Sequence, residues 1–128
     1  MSEEVVFDSS ALLALLHEEP GADAVGPLVP RAAMSAVNHA EVLIVLQRGG
    51  VPEAVAGEIV DRLALRLVPA DTAIARGAAR IVAASRAHGL SLGDGFCLAT
   101  ARALDLPVVT ADRVWAKLRL GLKITVVR

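Results

Sequence analysis

The sequence predicts an α/β fold in which helices cover both faces of a central parallel sheet. Short β-branched runs alternate with amphipathic stretches along the chain, as they do where helices join parallel strands. Strand interiors such as 5–7 and 107–109 are apolar without interruption, which is typical of strands buried on both sides. The chain has 128 residues, 55 % of them hydrophobic, and no linker or repeat, so we expect a single domain over residues 1–128.

Turn and capping residues set the predicted boundaries of the strands and helices. Five short apolar runs are predicted strands: 3–7, 32–34, 66–68, 107–110 and 122–127. Seven stretches are predicted helices: 9–17, 21–28, 35–48, 52–65, 71–88, 94–104 and 112–118. Gly49 and Gly89 mark the ends of two of these helices, and Pro52 and Asp71 suit the starts of the helices that contain them.

Four acidic residues lie just after predicted strands or within predicted helices. Asp8 and Asp112 each follow a strand, Asp94 begins a helix, and Glu41 interrupts an apolar helix. Ligands of open parallel α/β folds bind outside the carboxyl ends of the strands, so we expect these side chains to share one site there. Four carboxylates in one pocket repel each other unless a hard cation neutralises them. The pattern predicts a Mg²⁺ or Mn²⁺ site, with phosphodiester chemistry as its leading use.

Each acid also has a purely structural interpretation. Asp is a favoured N-cap, so Asp8, Asp94 and Asp112 could each do no more than cap a helix. Glu41 could lie on a solvated stripe of its helix and bond water. Asn38 lies one turn earlier on the same face, which would place an amide beside the Glu41 carboxylate.

Hydroxyl and basic side chains near the acids are candidates for supporting roles. Ser9 follows the first acid and Thr110 precedes the last by two residues, where a hydroxyl can orient a carboxylate or cap a helix. The net charge is −1, yet residues 102–128 carry six bases against two acids. Such a face could hold a phosphate backbone or be no more than a skewed, solvated surface. Arg113, Lys117 and Arg119 are the candidate phosphate contacts.

Other chemistries lack the residues they need. The three histidines are not spaced as a zinc pair, and the chain has no phosphate-binding loop or nucleophile elbow. Cys97 is the only cysteine and lies in an apolar stretch, which indicates a buried thiol and a reducing compartment. The N-terminal Met-Ser-Glu-Glu lacks the basic start of a signal peptide, and no apolar run could span a bilayer. We therefore expect a cytoplasmic protein with no membrane partner.

Four stretches of the sequence resemble PIN-domain ribonucleases, and most closely the VapC-type toxins of toxin–antitoxin pairs. These are residues 5–11 (VVFDSSA), 38–42 (NHAEV), 90–99 (LSLGDGFCLA) and 109–115 (VTADRVW). They occur in the family's order and at family-like spacing. Gly95 departs from the pattern, because the family usually has a larger residue there, and we expect a looser helix start at that point.

The resemblance implies a three-layer α/β/α sandwich and a specific activity. It implies a metal-dependent endoribonuclease with Asp8, Glu41, Asp94 and Asp112 as the catalytic acids and the ligands of Mg²⁺ or Mn²⁺. Its implied partners are an RNA substrate, a second copy of the chain in a homodimer, and a small antitoxin whose tail fills the active-site groove.

Two alternatives come from other functional classes. A receiver-like signalling domain also clusters acids at strand ends and binds Mg²⁺, but it normally has adjacent acids after the first strand. Asp8 instead lies between Phe7 and Ser9. A non-catalytic partner-binding module would use the same acids only as caps, and it would have no reason to be stabilised by Mg²⁺.

Overall fold

The computed structural model of the protein describes residues 3–128. Residues 1 and 2, which belong to the predicted domain and to the N-terminal segment considered for a signal peptide, lie outside the described residues. Five strands form one sheet: β1 Val5–Phe7, β2 Ala32–Ser35, β3 Arg66–Val68, β4 Val108–Thr110 and β5 Ile124–Val126. They are all parallel and lie in the order β3-β2-β1-β4-β5.

The strand order argues against a receiver-like domain. In the receiver-like arrangement the first strand lies between the second and the third. Here β1 pairs with β2 on one side and with β4 on the other. The receiver alternative is therefore wrong, although the predicted parallel sheet is confirmed.

Six α-helices lie between or after these strands within residues 3–128. They are α1 Ser9–Leu16, α2 Ala22–Val25, α3 Ala36–Arg48, α4 Glu53–Asp61, α5 Thr72–Ala84 and α6 Leu92–Leu104. Three 3-10 segments, Gly26–Arg31, Arg86–His88 and Arg113–Lys117, complete the described connections. No helix of the described residues is both long and apolar enough to cross a membrane.

Two hydrophobic cores lie on opposite faces of the sheet. Val5 and Phe7 face a core built with α1, α3 and α4. Val6 faces the other core, built with α5, α6 and Trp115. Successive residues of a strand point to opposite faces, so the short apolar strands serve both cores at once. The three-layer α/β/α fold is confirmed.

The start of α6 differs from the predicted one. The helix begins at Leu92, two residues before the predicted start, because Ser91 and not Asp94 is the N-cap. The Ser91 hydroxyl accepts a hydrogen bond from Asp94 N at 3.2 Å, and Ser91 N donates to Asp94 Oδ2 at 2.9 Å. This capping box anchors the first turn, so the looser start expected from Gly95 is not found.

Several predicted helices also extend too far at their C-terminal ends. The helix predicted for 52–65 ends at Asp61, where Leu63 and Ala64 close tight turns and Ala64 takes a left-handed φ of 52° before β3. The helix predicted to reach residue 88 changes at Ala84 into a 3-10 turn that ends at Gly89, whose φ is 62°. Local turn geometry determines where these helices end, and the apolar periodicity of the sequence does not reveal that geometry.

Candidate active site

The candidate site lies where β1 and β4 end side by side. Asp8 directly follows β1 and Thr110 is the last residue of β4, and the two strands are parallel neighbours. The Thr110 hydroxyl donates a 2.6 Å hydrogen bond to Asp8 Oδ2. Thr110 is fully buried and Asp8 is only 4 % exposed. The carboxylate is therefore fixed between the two strand ends, as the topology of the sheet predicts.

Asp8 is both a helix cap and an acid with a perturbed pKa. Its Oδ1 accepts a 2.8 Å hydrogen bond from Ala11 N, which makes it the N-cap of α1. Burial raises the pKa of Asp8 to about 6 by removing water from the charged form, and the nearby Asp94 charge adds to this rise. Hydrogen bonds from Thr110, Ala11 and Ser10 act in the opposite direction. A nearby cation would relieve the remaining penalty.

Ser10 belongs to the site, although of the two serines that follow Asp8 only Ser9 was predicted as a supporting residue. Its Oγ lies 2.8 Å from each Asp8 carboxylate oxygen and accepts a 2.9 Å hydrogen bond from Ala111 N. The side chain thus joins the start of α1 to the end of β4. Its only sequence signal is its place two residues after Asp8, which does not show where the hydroxyl points.

Glu41 reaches the same edge of the sheet from α3. Ser9 Oγ donates a hydrogen bond to Glu41 Oε1, and Asn38 Nδ2 donates to the same oxygen at 2.8 Å. Asn38 is 1 % exposed and also donates to the Gly93 carbonyl at 3.0 Å. The predicted amide–carboxylate pair on one helix face is confirmed. Of the two roles considered for Ser9, its hydrogen bond to Glu41 supports the orienting one.

Asp94 faces the site from the first turn of α6. One of its oxygens is held by the capping box with Ser91, and the residue is partly buried. Burial is the largest cause that raises the pKa of Asp94, and the negative charges of Asp112 and Glu41 raise it further. The hydrogen bonds from Ser91 lower it. Asp94 is thus close enough to two other acids to be repelled by both.

Asp112 completes the set from the segment after β4. Its Oδ1 accepts a 3.0 Å hydrogen bond from Val114 N and caps the 3-10 segment Arg113–Lys117. Its backbone N donates to Thr110 Oγ1 at 3.0 Å. The Thr110 hydroxyl therefore links the backbone of Asp112 to the side chain of Asp8, which agrees with a local role for Thr110 in the site.

The four acids meet at one edge of the sheet, but they do not form a closed cluster. In addition to burial, the charges of Asp112 and Glu41 raise the pKa of Asp94, and the charge of Asp94 raises that of Asp8. Within residues 3–128, no three side chains of His, Cys, Asp or Glu are arranged to hold one ion together. The Glu41 carboxylate is hydrogen-bonded to Ser9 and Asn38, and one oxygen of Asp94 is hydrogen-bonded to the start of its own helix.

The donor atoms of this site nevertheless fit a hard divalent cation. They are carboxylate oxygens, with hydroxyl groups from Ser9, Ser10 and Thr110 beside them. Mg²⁺ keeps several of its waters and is usually bound through one or two carboxylates. Such an ion needs only part of the acid set in direct contact, and the rest can act through water. The pKa values of Asp8 and Asp94 are raised because their charged forms are disfavoured, and the positive charge of the ion would offset this penalty.

Cys97 lies below the site and takes no part in its chemistry. The residue belongs to α6 and is fully buried in the core against which this helix packs. Desolvation, with smaller contributions from the charges of Asp8, Asp94 and Glu41, raises the pKa of the thiol well above its usual value. Its thiol therefore stays protonated. The predicted burial of this cysteine is confirmed.

The three predicted phosphate contacts are on the surface that follows Asp112. Arg113, Lys117 and Arg119 are all exposed. The Arg113 guanidinium also donates to the Arg128 carbonyl at 3.4 Å, which holds it near the end of β5. Arg113 and Lys117 lie on the 3-10 segment that Asp112 caps, so this segment joins basic side chains to the acidic site.

Known protein structures share this fold. A toxin–antitoxin complex from Klebsiella pneumoniae aligns over 98 % of both chains, with a TM-score of 0.74 and 20 % identity. A DNA-bound VapBC from Salmonella typhimurium aligns over 97 % of this chain and 98 % of that one, with a TM-score of 0.73 and 16 % identity. VapBC-5 from Mycobacterium tuberculosis aligns over 99 % of both, with a TM-score of 0.62 and 24 % identity.

The sequence itself matches a family model over most of its length. No curated protein matches the chain significantly. The PIN domain model, however, covers residues 5–120, which include β1 to β4 and all four acids. The resemblance suggested by the four sequence stretches is therefore confirmed at the level of the family: the chain belongs to the PIN domain family.

Proposed function

We propose that the protein is a metal-dependent endoribonuclease that acts as the toxin of a toxin–antitoxin pair. One observation carries the proposal: acids from four separate segments converge at the carboxyl edge of the sheet, where burial, and then the charges of neighbouring acids, raise the pKa of Asp8 and Asp94. A fold stabilised only by helix caps gains nothing from this repulsion. A site that binds a cation and a phosphodiester, by contrast, needs acids that are held close together in spite of their repulsion.

Asp8 and Asp94 are the proposed principal ligands of Mg²⁺ or Mn²⁺. Glu41 and Asp112 would complete the site directly or through water molecules. When bound, the ion polarises a phosphate oxygen and makes a water molecule easier to deprotonate. The rigid hold on Asp8 by Thr110 and Ser10 supports this role, because ligands fixed before binding lose little entropy when an ion arrives.

The remaining side chains would bind and orient the substrate and its water. Glu41 Oε1 already accepts two hydrogen bonds, from Ser9 and Asn38. Its Oε2 is the atom proposed to accept the proton of the attacking water. Arg113, Lys117 and Arg119 are the proposed phosphate contacts, and their exposure supports contact with an RNA backbone.

An antitoxin is the proposed protein partner. The Klebsiella relative described above is a toxin–antitoxin complex, and several other structures with this fold are VapBC complexes. Exposed apolar side chains on α3 and α4, among them Ile44, Val45 and Val55, supply a surface that a partner could cover. We further propose that the toxin forms a homodimer and works in the cytoplasm.

Cleavage of RNA by the partner-free chain tests the proposed activity. Total cellular RNA is incubated with the chain and Mg²⁺ or Mn²⁺, with and without a chelator, and the fragments are separated by size. Discrete fragments should appear only with free metal, and Asp8→Asn should abolish them. Asp105→Asn is the matched control, because Asp105 is exposed at the opposite end of α6 and asparagine tolerates its left-handed φ of 54°.

Two results would contradict the proposal. Equal cleavage by wild type and Asp8→Asn would show that the acids do not catalyse the reaction. Absence of cleavage, together with no rise of the unfolding temperature in Mg²⁺ or Mn²⁺, would favour the non-catalytic binding module, whose acids are only caps.

A further inference from the structure

Gly93 lies in the first turn of α6 with its Cα directly against the Glu41 carboxylate. Gly93 is buried. A methyl group placed on its Cα would overlap the carboxylate carbon and both carboxylate oxygens of Glu41. Glycine is the residue that permits such a close approach between a backbone and a side chain. The missing side chain at position 93 is therefore part of the shape of the acidic site.

We propose that Gly93 is a positioning residue that sets where the Glu41 carboxylate lies. Its importance for catalysis rests on the proposed nuclease function, whereas its effect on Glu41 does not. The carboxylate occupies the space that any larger residue at position 93 would fill. A side chain there would push Glu41 away from the first turn of α6 and from its hydrogen-bond donors.

Asn38 couples Gly93 to Glu41 through a single amide group. One hydrogen bond runs from Asn38 Nδ2 to Glu41 Oε1 at 2.8 Å, and another runs to the Gly93 carbonyl at 3.0 Å. If the amide were rotated by 180°, Asn38 Oδ1 would face these two oxygen acceptors and neither hydrogen bond could form. Asn38 Oδ1 has no partner among the described residues although it is buried, which is costly for stability. The amide nitrogen thus holds Glu41 next to α6, while the amide oxygen has no hydrogen-bond partner among the described residues.

A side chain at position 93 should disturb the geometry of the site without unfolding the protein. The group that must move is the end of the flexible Glu41 side chain, so the helices need not separate. Gly95, two residues later, has different surroundings: a methyl group there would lie 2.6 Å from Val82 Cγ2 and 3.1 Å from the Ala78 carbonyl. Gly93→Ala should therefore leave the protein folded and still displace Glu41.

Nuclear magnetic resonance of the metal-free protein tests this inference without any activity assay. The side-chain amide protons of Asn38 should exchange slowly in the wild type, because Glu41 and Gly93 accept both of them. In Gly93→Ala these signals should shift and exchange much faster. Gly57→Ala is the control, since a Cβ at this helical glycine meets nothing within 4 Å, and it should leave them unchanged. Unchanged Asn38 signals in Gly93→Ala would overturn the inference.

A Mn²⁺ titration links the positioning effect to the proposed function. Loss of an orienting contact typically weakens metal binding about 10-fold or more, and we expect Gly93→Ala to weaken Mn²⁺ binding to this extent. In a Glu41→Ala background the same substitution should have no further effect, because its target is gone. Equal effects in both backgrounds would contradict action through Glu41. A wild-type chain that binds no Mn²⁺ would contradict the proposed function instead, and the Asn38 signals would still decide the role of Gly93.

Discussion

The hydroxyl of Thr110 donates a 2.6 Å hydrogen bond to the carboxylate of Asp8, 102 residues earlier in the chain. This bond joins the carboxyl ends of β1 and β4 at the centre of the sheet. The same hydroxyl accepts a hydrogen bond from Asp112 N at 3.0 Å. One side chain therefore sets the relative positions of two of the four acids.

Replacing Thr110 with valine should destabilise the protein. The substitution keeps the shape of the side chain but removes the hydrogen bonds that the Thr110 hydroxyl makes with Asp8 Oδ2 and Asp112 N. We expect the free energy of unfolding to fall by about 1–3 kcal/mol, measured by urea denaturation. Thr100→Val is the matched control, because Thr100 is 1 % exposed and its hydroxyl has no partner among the described residues. Equal losses in the two variants would contradict the proposed role of the Thr110 hydroxyl.

The Asp8 carboxyl should make stability depend on pH in the metal-free protein. Its pKa rises from 3.8 to about 6 on folding, so between these values the folded state holds more protons than the unfolded state. Stability contributed by the protonated form is therefore present below 3.8 and is lost as the pH rises through 6. A shift of this size corresponds to up to about 3 kcal/mol.

Asp8→Asn removes this titration and tests it. In the absence of metal, the variant should gain stability relative to the wild type as the pH rises from about 4 to about 7. Thermal unfolding at several pH values measures the difference, and Asp105→Asn serves as the exposed control. A difference between Asp8→Asn and wild type that stays constant over this range would count against the raised pKa.

Gly95→Ala should destabilise the packing of α6 against α5. A Cβ at position 95 would lie 2.6 Å from Val82 Cγ2 and 3.1 Å from the backbone carbonyl of Ala78. Because the stiff Val82 side chain must shift and the Ala78 carbonyl is also tightly approached, we expect a loss of about 1–3 kcal/mol in the free energy of unfolding. Gly57→Ala, with open space around it, should instead raise stability by about 0.5–1 kcal/mol. Stabilisation by both substitutions would show that the two helices can separate freely.

The exposed bases after Asp112 should control how RNA binding responds to salt. In a cleavage-deficient Asp8→Asn background, Arg113→Ala and Lys117→Ala should each reduce the slope of log affinity against log salt by about 0.7, the value for one lost phosphate contact with a single strand. Arg62→Ala is the control, since Arg62 is exposed just after α4 and pairs with Glu58 at 2.5 Å. If all three substitutions change the slope equally, the RNA does not follow the proposed surface.

Much of the fold could be predicted because its signals are local. Continuous apolar strands, and glycine or proline at the ends of helices, correctly placed all five strands of the sheet to within a few residues. Asp8 and Asp112 could be placed at one edge because parallel neighbouring strands end together. Errors arose where local hydrogen bonds decide a boundary, as when Ser91 rather than Asp94 caps α6.

The finer geometry of the site depends on contacts between distant segments. The contact of Gly93 with Glu41 joins α6 to α3, and the bond of Ser10 to Ala111 N joins α1 to the end of β4. Neither contact has a periodicity or a spacing that reports it. A glycine before an aspartate near a helix start looks like a weak helix former, and only the fold reveals that its missing side chain makes room for a carboxylate.

Direct titration of the purified, metal-free chain with Mn²⁺ tests the shared cation site most directly. The signal of free Mn²⁺ in electron paramagnetic resonance gives the affinity and the number of ions bound without any need for a known RNA target. We predict saturable binding that is at least about 10-fold weaker in Asp8→Asn and in Asp94→Asn, and unchanged in Asp105→Asn. Absence of saturable binding, or equal affinity in all four proteins, would contradict a cation site built from these acids.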